Sequence, residues 1–162
     1  MKIGFKYKVQ GYNPVTKKVL WEWEEENLVP DYARSSLLAA MFLSGTQYPS
    51  FYIGAYANDR APEYDDVSAD LPEYGEIESF SEGARQLWTP AAESGGTLES
   101  SATPAIFTAT VDIPAVRGVF LSTISVFGST SGLLTSAVQS ASPKSLDAGE
   151  QLRIPCSFTM ST

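Results

Sequence analysis

The sequence predicts a mainly β fold, an all-β β-sandwich or jelly roll with one short α-helix inserted after an N-terminal hairpin. Three observations favour it: apolar and polar residues alternate through the first 26 residues, seven or eight short strand patterns are separated by glycine, proline and serine, and one segment has helical periodicity. At 162 residues with 43% hydrophobic residues, the chain can bury one core, and its linkers are too short for a second. We therefore expect residues 1–162 to form a single domain.

The N-terminal hairpin, residues 1–27, is predicted from two runs with a period of two. The first run, Ile3 to Val9, has an apolar residue at every second position, with Lys6 and Lys8 among the residues between them. Gly11 to Pro14 is typical of a turn. In the second run Trp21 and Trp23 alternate with polar residues, and we expect both in the core because large aromatic side chains dominate burial.

One helix is predicted over residues 31–44. Asp31 follows a proline and is the candidate N-cap. Gly45 is the candidate C′ residue, because glycine adopts a left-handed conformation at little cost. The apolar side chains between them have helical spacing and form one stripe: Leu37, Leu38, Met41 and Phe42. We expect this helix to pack on a sheet face or across one end of the sandwich.

A long acidic loop is predicted over residues 58–78, after a short aromatic strand at Phe51 to Ala57. The loop has no periodicity, and Arg60 is its sole basic residue. Its carboxylates are Asp59, Glu63, Asp65, Asp66, Asp70, Glu73, Glu76 and Glu78. Oxygen-rich loops can bind calcium, but this spacing does not fit an EF-hand. We therefore expect a solvated or partner-facing loop; whether it binds a cation or a glycan stays open.

The remaining strands are predicted between residues 82 and 160. Glycine, proline and serine signals separate five segments: Glu82 to Trp88, Ala105 to Val111, Arg117 to Phe127, Leu133 to Gln139, and Gln151 to Met160. The last segment alternates most regularly. Because Pro155 has no N–H to donate, we expect that strand to lie at a sheet edge or to carry a bulge.

The composition argues against an enzyme. The chain has no histidine, which removes the commonest general base, the Ser-His and Cys-His nucleophile pairs, and imidazole metal ligands. Cys156 is the single cysteine, which excludes an intrachain disulfide and a cysteine-based zinc site. A carboxylate pair of the glycosidase kind stays open but ranks last. We expect no catalytic residues, no cofactor and no metal site.

The charge also limits the partners. A formal net charge of −8 disfavours direct nucleic-acid binding, because an acidic surface repels phosphates. The N-terminus lacks the apolar run of a secretory signal, and no stretch reaches the length of a membrane span, so we expect no membrane association. The arginines before the C-terminal strand are too widely spaced for a basic patch and are expected to be exposed: Arg34, Arg60, Arg85 and Arg117.

A partner interface is predicted near the acidic loop, where aromatic residues are dense. Tyrosine is enriched at interfaces because it buries a large ring while keeping a polar tip, and isolated arginines pair with carboxylates of a partner. The candidate interface residues are Tyr52, Tyr56, Arg60, Tyr64 and Tyr74. Core packing is an open alternative for Tyr56, and carbohydrate stacking is one for Tyr64 and Tyr74.

Five stretches carry a family resemblance: Trp23 to Val29 (WEEENLV), Phe51 to Tyr56 (FYIGAY), Glu82 to Trp88 (EGARQLW), Gly95 to Phe107 (GGTLESSATPAIF) and Gly118 to Leu121 (GVFL). In this order they resemble small β-rich virion structural proteins of tailed bacteriophages, over residues 20–160. Within that group the chain is most similar to a capsid decoration, or cement, protein.

The resemblance implies a homo-oligomer that binds the lattice of the major capsid protein and stabilises the phage head. It also implies that the protein is made in the host cytoplasm and lies at the capsid surface of the virion. It implies no catalytic residues. A tail or tail-fibre-associated virion protein is the nearest alternative, and a carbohydrate-binding adhesion module is the alternative from another class. Sheet edges left at the two termini also favour self-association as a dimer or trimer.

Overall fold

The computed structural model describes residues 2–161 and, apart from the side chains of Lys2, Ile3 and Ser161, their packing; the predicted contribution of Ile3 to the hairpin core therefore lies outside the described residues. In chain order the elements are β1 Lys2–Asn13, β2 Lys18–Glu26, α1 Asp31–Phe42, β3 Tyr52–Tyr56, a 3₁₀ turn Ser68–Asp70, α2 Leu71–Tyr74, β4 Gln86–Leu87, β5 Thr97–Glu99, β6 Ala105–Thr108, β7 Ile113–Ser122, β8 Leu134–Leu146, β9 Gln151–Ile154 and β10 Cys156–Ser161. Two antiparallel sheets pack together, which confirms the predicted mainly β, sandwich-like fold.

The first sheet is built around β1. This strand pairs with β2 along one side and with β10 and β9 along the other, and β5 and β6 extend the sheet beyond β10 and β9. The predicted hairpin is confirmed, with β1 and β2 paired antiparallel from Lys6 opposite Glu26 to Asn13 opposite Lys18.

Alternation in the hairpin places its apolar side chains on the inner face, as predicted. Phe5, Tyr7 and Val9 are buried in the main core, where they meet the inner face of the second sheet. Trp21 and Trp23 are half-buried and pack against the edge of that core. The tryptophans thus cover the core more than they fill it.

The second sheet has the order β4-β3-β7-β8 and is buried on both faces. On its inner face Ile53 and Val119 join the main core, whereas Tyr56 and Phe120 project from the outer face into a second cluster. Close packing here requires glycine at position 118, because a Cβ atom there would lie 2.3 Å from the Val138 carbonyl oxygen.

The acidic segment, residues 58–78, covers that outer face and is not the solvated loop that the sequence predicts. It contains the 3₁₀ turn and α2, and it buries Leu71 and Tyr74. The outer cluster consists of Tyr56, Leu71, Tyr74, Phe120, Leu134 and Ala137. A sheet with apolar side chains on both faces needs a cover on each, and this segment supplies the second one.

The C-terminal strand departs from both expectations for Pro155. β9 and β10 lie in the interior of the first sheet, so the edge position is wrong. No residue is inserted either, because Tyr7 opposite Cys156 and Gln10 opposite Arg153 continue one register. The proline carbonyl still accepts from Lys8 N at 3.0 Å. Pro155 therefore omits one ladder donor without a bulge.

The strand boundaries differ most from the predicted ones at β4, β7 and β8. In addition β5 was not predicted, and the hairpin turn lies at residues 14–17 and not at Gly11 to Pro14. β4 is restricted to Gln86–Leu87, because the residues before it form a turn whose Arg85 N–H donates to the Ser125 carbonyl. β7 begins earlier, at Ile113, and ends at Ser122. β8 runs through a serine-rich stretch that the sequence suggests as turns, because Ser136 and Ser140 are buried there.

Helix α1 forms where predicted, but its ends differ. Pro30 is the N-cap and Asp31 the first helical residue, with no side-chain hydrogen bond at the cap. At the other end Ser44, with φ 55°, adopts the left-handed conformation expected of Gly45. Leu43 N and Gly45 N both donate to the Ala39 carbonyl at 2.9 Å, which closes the last turn.

Candidate functional site

The five predicted interface residues separate into two groups. Tyr56 of β3 comes together with Arg60 and Tyr74 of the acidic segment, and both tyrosines are buried there. Tyr52 is half-buried in β3, and Tyr64 is exposed near the start of α1, where its carbonyl accepts from Asp31 N at 2.7 Å. Burial therefore removes Tyr56 and Tyr74 from any partner-facing surface, and their interface assignment is wrong.

Asp66 is the centre of a polar cluster within the acidic segment. It is buried and accepts hydrogen bonds from Arg60 Nη2 at 2.6 Å, from Glu63 N at 2.6 Å and from the Tyr74 hydroxyl. Arg60 also pairs with the exposed carboxylates of Glu63 and Glu73 at 3.2 Å. These contacts join residues of the acidic segment to one another, so its carboxylates stabilise the conformation of the segment.

The two buried tyrosines connect this cluster around Asp66 to the second sheet. Their rings pack edge to face with centroids 4.9 Å apart, and the Tyr56 hydroxyl donates to the Val138 carbonyl at 3.0 Å. Burial raises the pKa of both phenols well above the usual value, and the hydrogen bond to Asp66 raises the pKa of Tyr74 further. Both phenols therefore stay protonated where a solvated tyrosine would ionise.

This burial predicts alkaline destabilisation. In the unfolded chain tyrosine ionises near pH ~10, whereas the native Tyr74 keeps its proton, so its stabilisation is complete below that pH and is lost as the pH rises above it. Each such tyrosine contributes a slope of about 1.4 kcal/mol per pH unit to the free energy of unfolding. We expect Tyr74→Phe to remove one such slope in urea titrations between about pH 9 and pH 11. An unchanged slope would contradict the burial of this phenol; Tyr64→Phe is the exposed control.

Arg85 is buried, although the sequence predicts that it is exposed. Its side chain is fully buried, and all five N–H donors have acceptors. Nε and Nη2 donate to the two Glu76 oxygens at 2.7 Å, Nη2 also donates to the Ser129 carbonyl, and Nη1 donates to the Ile124 carbonyl and to the Ser122 hydroxyl. It fixes the loop between β7 and β8 to the turn before β4.

The outward face of α1 is strongly apolar. Ala33 is the helix residue that is fully buried against the sandwich, while large apolar side chains point to solvent. Leu38 is 46% exposed, Met41 62%, Phe42 73%, and Leu43, just past the helix, 79%. The predicted apolar stripe therefore exists, but most of it faces away from the sheets it was expected to cover.

A second exposed apolar surface lies at the hairpin tip. Val15, in the turn between β1 and β2, is 88% exposed, and Val19 and Leu20 at the start of β2 are each nearly half exposed. Trp21 Nε1 donates to the Ser145 carbonyl, whereas Leu28 pairs with Ala137. At about 3.4 Å per strand residue these two contacts are roughly 20–25 Å apart. The base of the tip and the chain just before α1 therefore meet β8 at well-separated points.

Comparisons with known proteins found no matching family model, no matching curated protein and no matching solved structure.

The first sheet carries a small concave site on its outer face. A shallow depression of about 160 Å³ on the outer face of the first sheet is lined by Lys6, Lys8, Glu24 and Glu99, and the two lysines already pair with Glu24 and Glu22. Among residues 2–161 no group of three potential ligands is placed to hold a metal ion, and no helix there is long and apolar enough to cross a membrane.

Proposed function

We propose that this protein is a virion structural protein, a decoration or cement protein that binds the major capsid protein lattice and stabilises the phage head. Two separate apolar surfaces, one at the hairpin tip and one on α1, support the proposal. A cement protein has to contact neighbours on both sides of itself, and exposed apolar patches are typical of surfaces that another protein covers. The sequence resemblance to phage virion proteins supplies the identity of the shell.

The hairpin tip suits a contact with a large shell. Val15 and Leu20 project from a two-stranded ribbon that the half-buried Trp21 holds against β8. Burying an exposed aliphatic side chain contributes about 1.5–3 kcal/mol. One tip therefore binds weakly, but a repeated lattice offers many such sites, and a ligand that binds the assembled shell alone stabilises it by mass action.

Capsids that lack the protein provide the direct test. The purified protein is mixed with such heads, sedimented, and the heads are then heated while DNA release is followed. The proposal requires saturable binding and DNA release at a higher temperature than in bare heads. Absence of binding to heads contradicts it, and binding to isolated tails instead would assign the protein to the tail.

Val15→Asp is expected to weaken capsid binding at least tenfold, which corresponds to about 1.4 kcal/mol, because a carboxylate at the tip must be desolvated in the contact. Binding isotherms from the same sedimentation assay measure the change. Val126→Asp is the matched control, since Val126 is also well exposed but lies in the loop between β7 and β8. Equal losses for the two variants would contradict a contact through the tip.

A further inference from the structure

The outward face of α1 has the reverse of the usual amphipathic arrangement. A surface helix normally turns its large apolar side chains to the core, but here the fully buried helix residue is Ala33 while Leu38, Met41 and Phe42 face solvent. We propose that this face, with Leu43, is a self-association surface on which the same face of a second copy packs.

The distribution of charge favours a second copy as the occupant. With a net charge of −8, most exposed surfaces of this protein would bring carboxylates together if two copies met there. Strand β2 exposes Glu25, and the acidic segment exposes Asp65 and Glu78. On α1 the exposed charges are Asp31 and Arg34, which neutralise each other at 2.7 Å. Two α1 faces can therefore meet without opposing like charges.

The size of the patch also fits self-association. A buried Leu, Met or Phe side chain removes on the order of 100 Å² of apolar area, so these four partly exposed side chains offer roughly 250 Å² per copy. A standard interface buries about 800 Å² per partner, of which about 450 Å² is apolar. The α1 face thus supplies more than half of that apolar area.

Sedimentation velocity of the purified protein alone tests the proposal. We expect a concentration-dependent dimer at micromolar concentration, because two identical faces that pack on each other close a two-fold contact, and at least a tenfold weaker association for Leu38→Glu and for Phe42→Glu. The control Val126→Glu should associate like the original protein. Circular dichroism spectra confirm that each variant keeps its fold. A monomer throughout the concentration range, or an oligomer that both α1 variants leave intact, would overturn the inference.

A single engineered cysteine gives an independent readout. Cys156 is buried, and burial raises the pKa of its thiol well above the usual value, so it reacts slowly with oxidants. Under mild oxidation Leu38→Cys should form disulfide-linked dimers in dilute solution, while Val126→Cys should not. Equal crosslinking of the two variants would count against α1. Because neither experiment contains capsids, failure here leaves the proposed capsid binding through the hairpin tip to be judged separately.

Discussion

Arg85→Met is expected to lower the free energy of unfolding by about 3–5 kcal/mol, the loss typical of removing one partner from a buried ion pair. The variant leaves the Glu76 carboxylate buried with Gly128 N, at 2.8 Å, as its remaining donor. It also removes the donors that hold the carbonyls of Ile124 and Ser129. Desolvation of an unpaired charge and unsatisfied acceptors act in the same direction.

Urea unfolding at neutral pH measures this loss, and Arg34→Met is the matched control. Arg34 forms a comparable ion pair with Asp31, but both side chains are exposed, so its removal should cost less than about 1 kcal/mol. Adding Glu76→Gln to Arg85→Met should recover part of the loss, because the uncompensated charge disappears. Equal effects of the Arg85 and Arg34 variants would show that burial does not determine the strength of the pair.

Local patterns in the sequence were sufficient to predict the N-terminal hairpin and α1, but not β5, the 3₁₀ turn or α2. The alternation that puts Phe5, Tyr7 and Val9 on one side of β1 is a property of neighbouring residues, and so is the i, i+4 spacing of Leu38 and Phe42. Such periodicity fixes which side chains share a face. It does not state which face another element will cover, and this is where the predictions failed.

The misplaced residues all depend on long-range contacts. Tyr74 is buried because the acidic segment covers an apolar outer face that includes Phe120 and Leu134. The acidic residues and prolines of the segment give no local indication of this burial. Arg85 finds Glu76 nine residues away, but its other acceptors lie about forty residues along the chain. Spacing alone cannot identify such partners, because they are brought together by the strand order of the sheet.

The same limitation explains why the exposed apolar surfaces do not lie where the sequence predicts the interface. Tyrosine density near the acidic segment marked the outer core of the second sheet, whereas the exposed apolar groups lie on α1 and at the hairpin tip. The stripe Leu38, Met41 and Phe42 has the spacing of a core-facing helix, and its exposure becomes visible once Ala33 is seen to make the buried contact. An apolar stripe predicts a covered surface, and the three-dimensional fold decides whether the cover is the same chain.

Asp66→Ala is expected to lower the free energy of unfolding by about 2–4 kcal/mol and to release the acidic segment from the second sheet. The substitution removes the acceptor of Arg60, of Glu63 N and of the Tyr74 hydroxyl together, and it leaves that hydroxyl buried without its partner. Urea unfolding measures the loss. Glu63→Ala is the control: Glu63 pairs with the same arginine through an exposed carboxylate and should cost less than about 1 kcal/mol.

Hydrogen exchange separates local release from a uniform loss of stability. If Asp66 fastens the segment, amides that bond across it, such as Asn58 N to the Tyr74 carbonyl and Ile77 N to the Ala55 carbonyl, should lose protection in Asp66→Ala before those of β1 do. Exposure of Phe120 should follow, because the segment is its cover. Equal loss of protection in both regions would mean that the segment unfolds only with the whole sandwich, and that Asp66 stabilises the fold without controlling this cover.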